Sequence, residues 1–377
     1  MNRNTLRILR VAGDVYPERV GGGAIHVHLL SKRQAEMGHD VTLFTSDYGD
    51  DDAPRHDHRD GYDLRRFKEV CRPFGNTITP GLFKSLRRVA DDYDIIHAHS
   101  HLYFSTNLTA ALTREIDTPL MVTNHGLYSQ SAPHWIQELF LSTVARFTFN
   151  SAERVLCYSE TDRDRLNGRG ISSSISVIPN GVDCSHFQPD SNVEERPQVL
   201  YVGRLNRTKG VDKLVDAFAR VHREYPEARL KIVGDGPFAP ELKEQIVDLG
   251  ISETVKFAGR VKNRQLPEMY DESAVFVLPS ETEGFPRTVL EAMACETPPI
   301  TSDLPQLKAA LDGVGRTVSP DNIETLANEI VRLLADDKTR RSMATRGREL
   351  VRAKYSWEQT VARTTEEYYN VLEEVHE

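Results

Sequence analysis

Val199–Gly210, VLYVGRLNRTKG, lies just past the middle of the 377-residue chain, and its reading decides the fold. An apolar run ends at Gly203, Arg204 and Lys209 occupy the loop behind it, and a helical pattern starts after Gly210. That is the first strand, loop and helix of an α/β unit. A second such start stands at the N-terminus. LRILRVAG reads as a strand, ERVGGG as a glycine loop, and a helix from about Ala24 to Met37 stops at Gly38. Two starts predict two units in tandem, and the polar stretch QPDSNVEERPQ (Gln188–Gln198) supplies the boundary. The expected domains are residues 1–187 and 188–356, with a final helix over 357–377 packing back on the first.

Outward from these starts the pattern repeats. DVTLFT, DIIHAHS, PLMVTNHG, RVLCYSE and ISVIPNG read as strands of the first unit; LKIVGDG, VKFAGRV, AVFVLPS and PPITSD as strands of the second. Helical patterns between them predict parallel sheets of doubly wound, Rossmann-like type. Ligands of such sheets sit at the carboxyl ends of the strands, so two facing domains are expected to share one ligand across a central cleft.

Composition narrows the function. A net charge of -9 argues against a nucleic-acid binder. No apolar run approaches the ~20 residues that cross a bilayer. The N-terminal apolar stretch is too short for a signal peptide and reads as a strand. Cys71, Cys157, Cys184 and Cys295 are far apart, which fits a reduced, cytoplasmic setting. In the run Ser46–Asp63, His56, Asp57 and His58 offer a metal pattern, but a solvated acidic loop is the preferred reading.

Glu281–Ala294, ETEGFPRTVLEAMA, carries the chemistry. Pro286 suits the first turn of a helix. The leading N–H groups of that helix, from Arg287, Thr288 and Val289, form an anion site. Glu283 and Glu291 flank it, and carboxylates accept hydrogen bonds from sugar hydroxyls. A phosphate joined to sugars reconciles the two features; a capped helix with solvated acids is the plainer alternative. Arg204 and Lys209 would stabilise a departing diphosphate, although alone they also read as surface charges. Gly21, Gly22 and Gly23 allow close backbone approach to a phosphate or make a flexible turn. His125 ends a strand and can donate to a hydroxyl or fill a polar pocket. His97 and His99 share a strand face, as zinc ligands do, yet no third ligand is evident and structural hydrogen bonding is preferred.

Taken in order, GGGAIHVHLLSKRQAEMGHDVTLFT, DIIHAHS, TNHG, VIPNGVD, VGRLNRTKG, VGDGP, FAGRV and ETEGFPRTVLEAMACETP resemble the retaining GT-B glycosyltransferases of family 4, whose E-x7-E signature is the last of these. The resemblance implies a GT-B fold and transfer of a hexosyl group from a UDP- or GDP-sugar to a hydroxyl of a sugar, glycolipid or lipid-linked acceptor. It assigns Glu283 to the donor sugar, Glu291 to the ribose, and Arg204 and Lys209 to the diphosphate. The backbone of Gly21, Gly22, Gly284, Phe285, Pro286, Arg287 and Thr288 would line the donor site, Arg260 and Val261 would read the base, and His125 would sit by the sugar. No second carboxylate stands out as a nucleophile, so a front-face route without a required metal or cofactor is expected. A GT-B epimerase and a non-catalytic nucleotide-sugar-binding subunit are the alternatives. The sequence departs from the family in Pro286, which lacks an N–H, and in Glu296-Thr297-Pro298, where GTP is common; both are expected to touch sugar recognition.

The acceptor side is less legible. Arg65–Arg88 carries seven basic residues against one acidic, a pattern for peripheral contact with anionic lipid at the inner face of a membrane or for a solvated helix. His134–Phe149 is aromatic-rich and lines either an acceptor cleft or the core.

Overall fold

The computed structural model describes residues 5–19, 21–113, 115–127, 133–283 and 285–376. Two compact units form, Met1–Pro179 with Thr360–Glu377, and Asn180–Gln359.

In the first unit the strands are β1 (Arg7–Ala12), β2 (Asp40–Ser46), β3 (His56–Arg59), β4 (Tyr62–Phe67), β5 (Ile95–His99), β6 (Leu120–Thr123), β7 (Arg154–Cys157) and β8 (Ser174–Val177). They lie in the order β3-β4-β2-β1-β5-β6-β7-β8. All neighbours are parallel except β3 and β4. The helices are α1 (Gly22–Glu36), α2 (Pro80–Val89), α3 (Phe104–Leu112), α4 (His134–Phe140), α5 (Arg146–Asn150), joined to α4 by a π-helical turn, and α6 (Glu160–Gly168). Strand side chains alternate between faces. Leu9 and Val11 therefore join Leu86, Leu141 and Phe149 on one side, and Ile8 and Ala12 join Val27 and Val371 on the other. Each fully buried side chain of this size contributes about 1.5–3 kcal/mol.

The acidic-loop reading of Ser46–Asp63 holds for residues 47–55, where Asp50, Asp51 and Asp52 are exposed, and is corrected beyond them. His56–Arg59 forms an antiparallel edge strand on β4, and Arg66 donates to Glu18 (2.6 Å) and Asp57 (3.2 Å). Charge on an edge strand discourages pairing with other chains, and it also hides the alternation that reveals a strand. Among the described residues no group of three or more His, Cys, Asp or Glu side chains is placed to hold a metal.

The second unit's strands are β9 (Arg196–Val202), β10 (Arg229–Val233), β11 (Val255–Gly259), β12 (Ser273–Leu278), β13 (Pro299–Ser302) and β14 (Arg316–Val318), all parallel in the order β11-β10-β9-β12-β13-β14. Its helices are α7 (Val211–Glu224), α8 (Ala239–Asp248), α9 (Leu266–Asp271), α10 (Arg287–Ala294), α11 (Pro305–Ala310), α12 (Ile323–Ala335) and α13 (Asp337–Lys354). The chain enters this unit at Asn180, earlier than the polar stretch suggests. Apolar residues explain the difference: Val182 exchanges backbone bonds with Tyr355 (2.8 Å) and Trp357 (3.0 Å), and Phe187 packs on Tyr270.

The last helix, α14 (Trp357–His376), returns to the first unit from Thr360 onward. Its Tyr368 accepts a hydrogen bond from the fully buried Arg10 (3.0 Å), which also donates to Gln34 (2.6 Å). Strand order reverses between β1 and β5 in one sheet and between β9 and β12 in the other. Such switch points are where doubly wound sheets bind ligands.

Candidate active site

The second unit joins two loops at its switch point, one after β9 and one after β12. Gly210 adopts φ +63, and a Cβ there would lie 2.2 Å from the Pro279 carbonyl oxygen, so only glycine lets the loops touch. The Glu281 N–H donates to the Thr208 carbonyl (2.9 Å). Lys213 bridges Glu281 and Asp321, each at 2.8 Å. These ties bring Lys209 Nζ to 2.5 Å from Glu283 Oε1, with the two side chains 19% and 10% exposed. Gln306 Nε2 holds the Glu283 carbonyl from the other side (2.6 Å). Gly284, the next residue in the signature, lies outside the described residues.

Helix α10 starts at Arg287, so Pro286 is its N-cap (φ -71, ψ 123) and not a first-turn residue. The Val289 N–H is committed to the Pro286 carbonyl (3.2 Å). The N–H groups of Arg287 and Thr288 remain as first-turn donors without an intrahelical acceptor. Phe285 is 8% exposed, stacks on Tyr355 with centroids 5.1 Å apart, and accepts from Asn180 Nδ2 (3.3 Å). Glu291, one turn inside α10, is 5% exposed and accepts from the Tyr270 hydroxyl (3.1 Å). Burial raises its pKa, and the Arg287 charge opposes that rise. The other end of α10 explains Glu296. It sits at φ +59 after the helix, and the bonds from Glu296 N–H to Met293 and from Thr297 N–H to Ala292 form a Schellman closure. The departure from glycine therefore falls on the closure of the helix end.

Arg204 is exposed on the β9 loop, where its carbonyl accepts from the Tyr201 hydroxyl (2.9 Å). Arg260 and Val261 follow β11 at the same carboxyl edge, and the Gly234 N–H bonded to the Gly259 carbonyl (2.8 Å) ties this end to β10. Sequence reasoning missed Lys213, Tyr270 and Gln306. Each acts through a partner far along the chain, so no local pattern marks it.

The first unit has its own cavity, of about 220 Å³, at the β1/β5 switch point, lined in part by Asp14, Gly23, His99, Tyr103 and His125. The Tyr103 hydroxyl donates to Asp14 (2.7 Å). Gly21 is the extended N-cap of α1 (φ -178), and Gly22 is its first residue. A Cβ at either would meet nothing within 4 Å, whereas one at Gly23 would stand 3.5 Å from His125 Nδ1. His125 Nε2 is 3.0 Å from His99 Nδ1, and His125 Nδ1 is 2.7 Å from the Tyr158 hydroxyl. Burial pushes the His125 pKa down to about 4. His97 hydrogen-bonds Tyr368 (2.6 Å) and Thr123 (2.7 Å) through its two ring nitrogens.

Arg65–Arg88 is no single amphipathic helix but the end of β4, a turn and α2. Arg66, Lys68, Arg72 and Arg87 are in ion pairs with Glu18, Asp51, Glu69 and Glu115, while Lys84 and Arg88 are exposed on α2. The segment 134–149 faces the core along one side. Leu141, Ala145 and Phe149 enter the core, while Trp135 and Leu139 remain 69% and 59% exposed. No described helix is long and apolar enough to cross a membrane.

Comparisons with known proteins identify relatives along nearly the whole chain. Residues 20–186 match the model of Glycosyltransferase Family 4, and residues 185–350 that of Glycosyl transferases group 1. The GDP-mannose-dependent alpha-(1-6)-phosphatidylinositol monomannoside mannosyltransferase of Mycolicibacterium smegmatis is 30% identical over 95% of this chain and 97% of its own. Sucrose-phosphate synthase from Thermosynechococcus elongatus superposes with a TM-score of 0.81 at 26% identity, covering 97% of this chain and 99% of that one. HepE of Anabaena, solved with UDP and glucose, shares the fold at a TM-score of 0.79 and 20% identity, over 97% of this chain and all of its own. The chain therefore belongs to the family 4, group 1 glycosyltransferases and is a transferase of GT-B fold.

Proposed function

We propose that this glycosyltransferase moves a hexosyl group, with retention, from a nucleoside diphosphate sugar to a hydroxyl of a sugar, glycolipid or lipid-linked acceptor. The observation that carries the reading is the Lys209–Glu283 pair at the carboxyl edge of the second sheet, which joins the loop after β9 to the loop that leads into α10. An ammonium has three N–H donors. Lys209 can therefore hold Glu283 with one and turn the others to a diphosphate. Glu283, fixed by Lys209 and Gln306, keeps acceptor positions for the donor's hydroxyls. Arg204 and the amides of Arg287 and Thr288 add positive potential where leaving-group charge grows. Glu291 would hold the ribose, and the backbone at Arg260 and Val261 the base. In the first unit, Gly21 and Gly22 leave open backbone for a phosphate, and His125 is assigned to the sugar.

Retention follows a front-face course in this reading. The departing diphosphate accepts the proton of the incoming hydroxyl, which bonds to the same face of the anomeric carbon. The Mycolicibacterium relative, named for a GDP-mannose donor and a phosphatidylinositol monomannoside acceptor, supports a sugar nucleotide and a lipid-linked acceptor. Contact with an anionic membrane at its cytoplasmic face, through Lys84 and Arg88 of α2, belongs to the same proposal.

A thermal-shift screen of UDP-, GDP- and ADP-sugars identifies the donor, because a ligand of the native state raises Tm. Assays of nucleoside diphosphate release with candidate acceptors follow, with the anomeric configuration of the product read by NMR. A protein that binds none of these donors and releases no nucleoside diphosphate overturns the reading. Conversion to a new sugar nucleotide would make it an epimerase.

A further inference from the structure

We infer that His99 and Tyr158 are positioning residues that clamp His125 from both sides and hold its imidazole in one orientation at the first unit's cavity; the link to catalysis rests on the proposed role of His125 at the donor sugar. Three neighbouring parallel strands build the clamp. His99 ends β5, His125 lies just beyond β6, and Tyr158 directly follows β7. His99 pairs in register with Thr123, and Thr123 with Leu156, so the three side chains follow one another along a single sheet edge.

A neutral imidazole has one N–H and one lone pair. His125 spends both, one on Tyr158 (2.7 Å) and the other on His99 (3.0 Å). Two hydrogen-bond directions are open along this row, and in either one both His125 nitrogens are engaged and none is left for substrate, while the buried His99 Nε2 ends the row without a partner. His125 therefore meets a ligand through its ring edge and the backbone around it, as a fixed neutral wall and not as a proton carrier. Packing enforces the orientation. Gly23 of α1 stands against one side of the ring, and His26 meets it edge-on with centroids 5.3 Å apart. Burial lowers the pKa of His99 as well as His125, which keeps the row uncharged at neutral pH.

The test uses the full chain labelled with ¹⁵N-histidine, with His125 assigned by loss of its signals in His125→Asn. In the unsubstituted protein, His125 is expected to show one pyrrole-type and one pyridine-type nitrogen, unchanged between pH 6 and 8. Tyr158→Phe and His99→Ala should each average the two nitrogens and lower kcat by about 10-fold or more, with donor KM within about twofold, as loss of an orienting hydrogen bond does. His99→Asn, which places a polar atom near the old Nδ1, should recover much of both signals. Should His99→Ala fail to fold, Tyr158→Phe carries the test, since it keeps the ring and its packing. Unchanged His125 nitrogens in Tyr158→Phe overturn the clamp without reference to any substrate. Averaged nitrogens with an unchanged kcat overturn its part in the reaction. A merely structural role would lower Tm and move neither.

Discussion

The two units share one plan, a parallel doubly wound sheet with its business edge at a switch point, but they fill that edge with opposite chemistry. The first unit buries neutral bases: His97, His99, His101 and His125 all have lowered pKa values because burial penalises their charged form. The second unit holds acids against burial: Glu291 in the signature helix is raised by desolvation, and Asp271, just ahead of β12 and away from that edge, is pushed up to about 6 by the same cause. One topology can thus carry a row of neutral histidines in one unit and buried carboxylates in the other. What differs is which side chains the loops deliver, not the scaffold. The glycines divide in the same way. Gly210 and Gly234 are packing residues, since a Cβ at Gly234 would lie 1.8 Å from the Gly203 carbonyl oxygen, whereas Gly21 and Gly22 face open space.

The strongest way to break the comparison is to remove the charged pair of the second unit. Lys209→Ala and Glu283→Ala should each reduce nucleoside diphosphate release by at least ~100-fold, the scale of a lost transition-state donor. Near-normal rates in both would take that edge out of the reaction. The glycine contrast comes next. Gly210→Ala should cost roughly 2 kcal/mol or more, since it combines a left-handed backbone with a clash, and should displace Lys209. Gly22→Ala should stay within about 0.5 kcal/mol. Denaturant titration compares them, and equal losses would erase the distinction.

Acidification sharpens the electrostatic contrast. The buried histidines have folded pKa values below the unfolded value near 6.5, so on acidification the unfolded state takes up protons first. The stability of the first unit is whole above pH 6.5 and should drain away as pH falls toward about 4, where His125 and His101 titrate. Asp271 and Glu291 have raised folded values, so there the folded state binds protons first. Their contribution should grow as pH falls through about 6 for Asp271. Hydrogen exchange at pH 7 and pH 5 should therefore show β5 and β6 losing protection relative to β12 and α10; parallel loss in both would refute the assignment. The smallest effect is expected from Glu291→Gln. It removes a buried charge while keeping a partner for Tyr270, and should raise Tm at pH 7 by about 2–4 °C, the shift that ~1 kcal/mol makes in a domain of this size. The gain should vanish below the ordinary carboxyl range. The same variant should weaken nucleotide binding, and calorimetry would show whether it does.

Most strands were legible because buried parallel strands are short apolar runs between glycine and polar loops. β3 and β4 escaped because their charges are neutralised across the hairpin and by Glu18, a pairing that no window of sequence contains. The signature helix was legible too, but Pro286 was placed one position too far in, since a proline is equally at home at the N-cap and in the first turn. The part Glu296 plays in closing that helix was not legible, because its left-handed backbone shows only in the folded helix end.

The order of residues alone determined two α/β units, the family they belong to, and which short segments carry charge or glycine at strand ends. These are local properties, written in periodicity and spacing. Tertiary structure alone decided what those residues touch: Lys209 against Glu283, Tyr270 on Glu291, and His125 held between His99 and Tyr158. Such contacts join positions tens of residues apart, and they come into being when hydrophobic burial brings separate strands side by side and fixes their register.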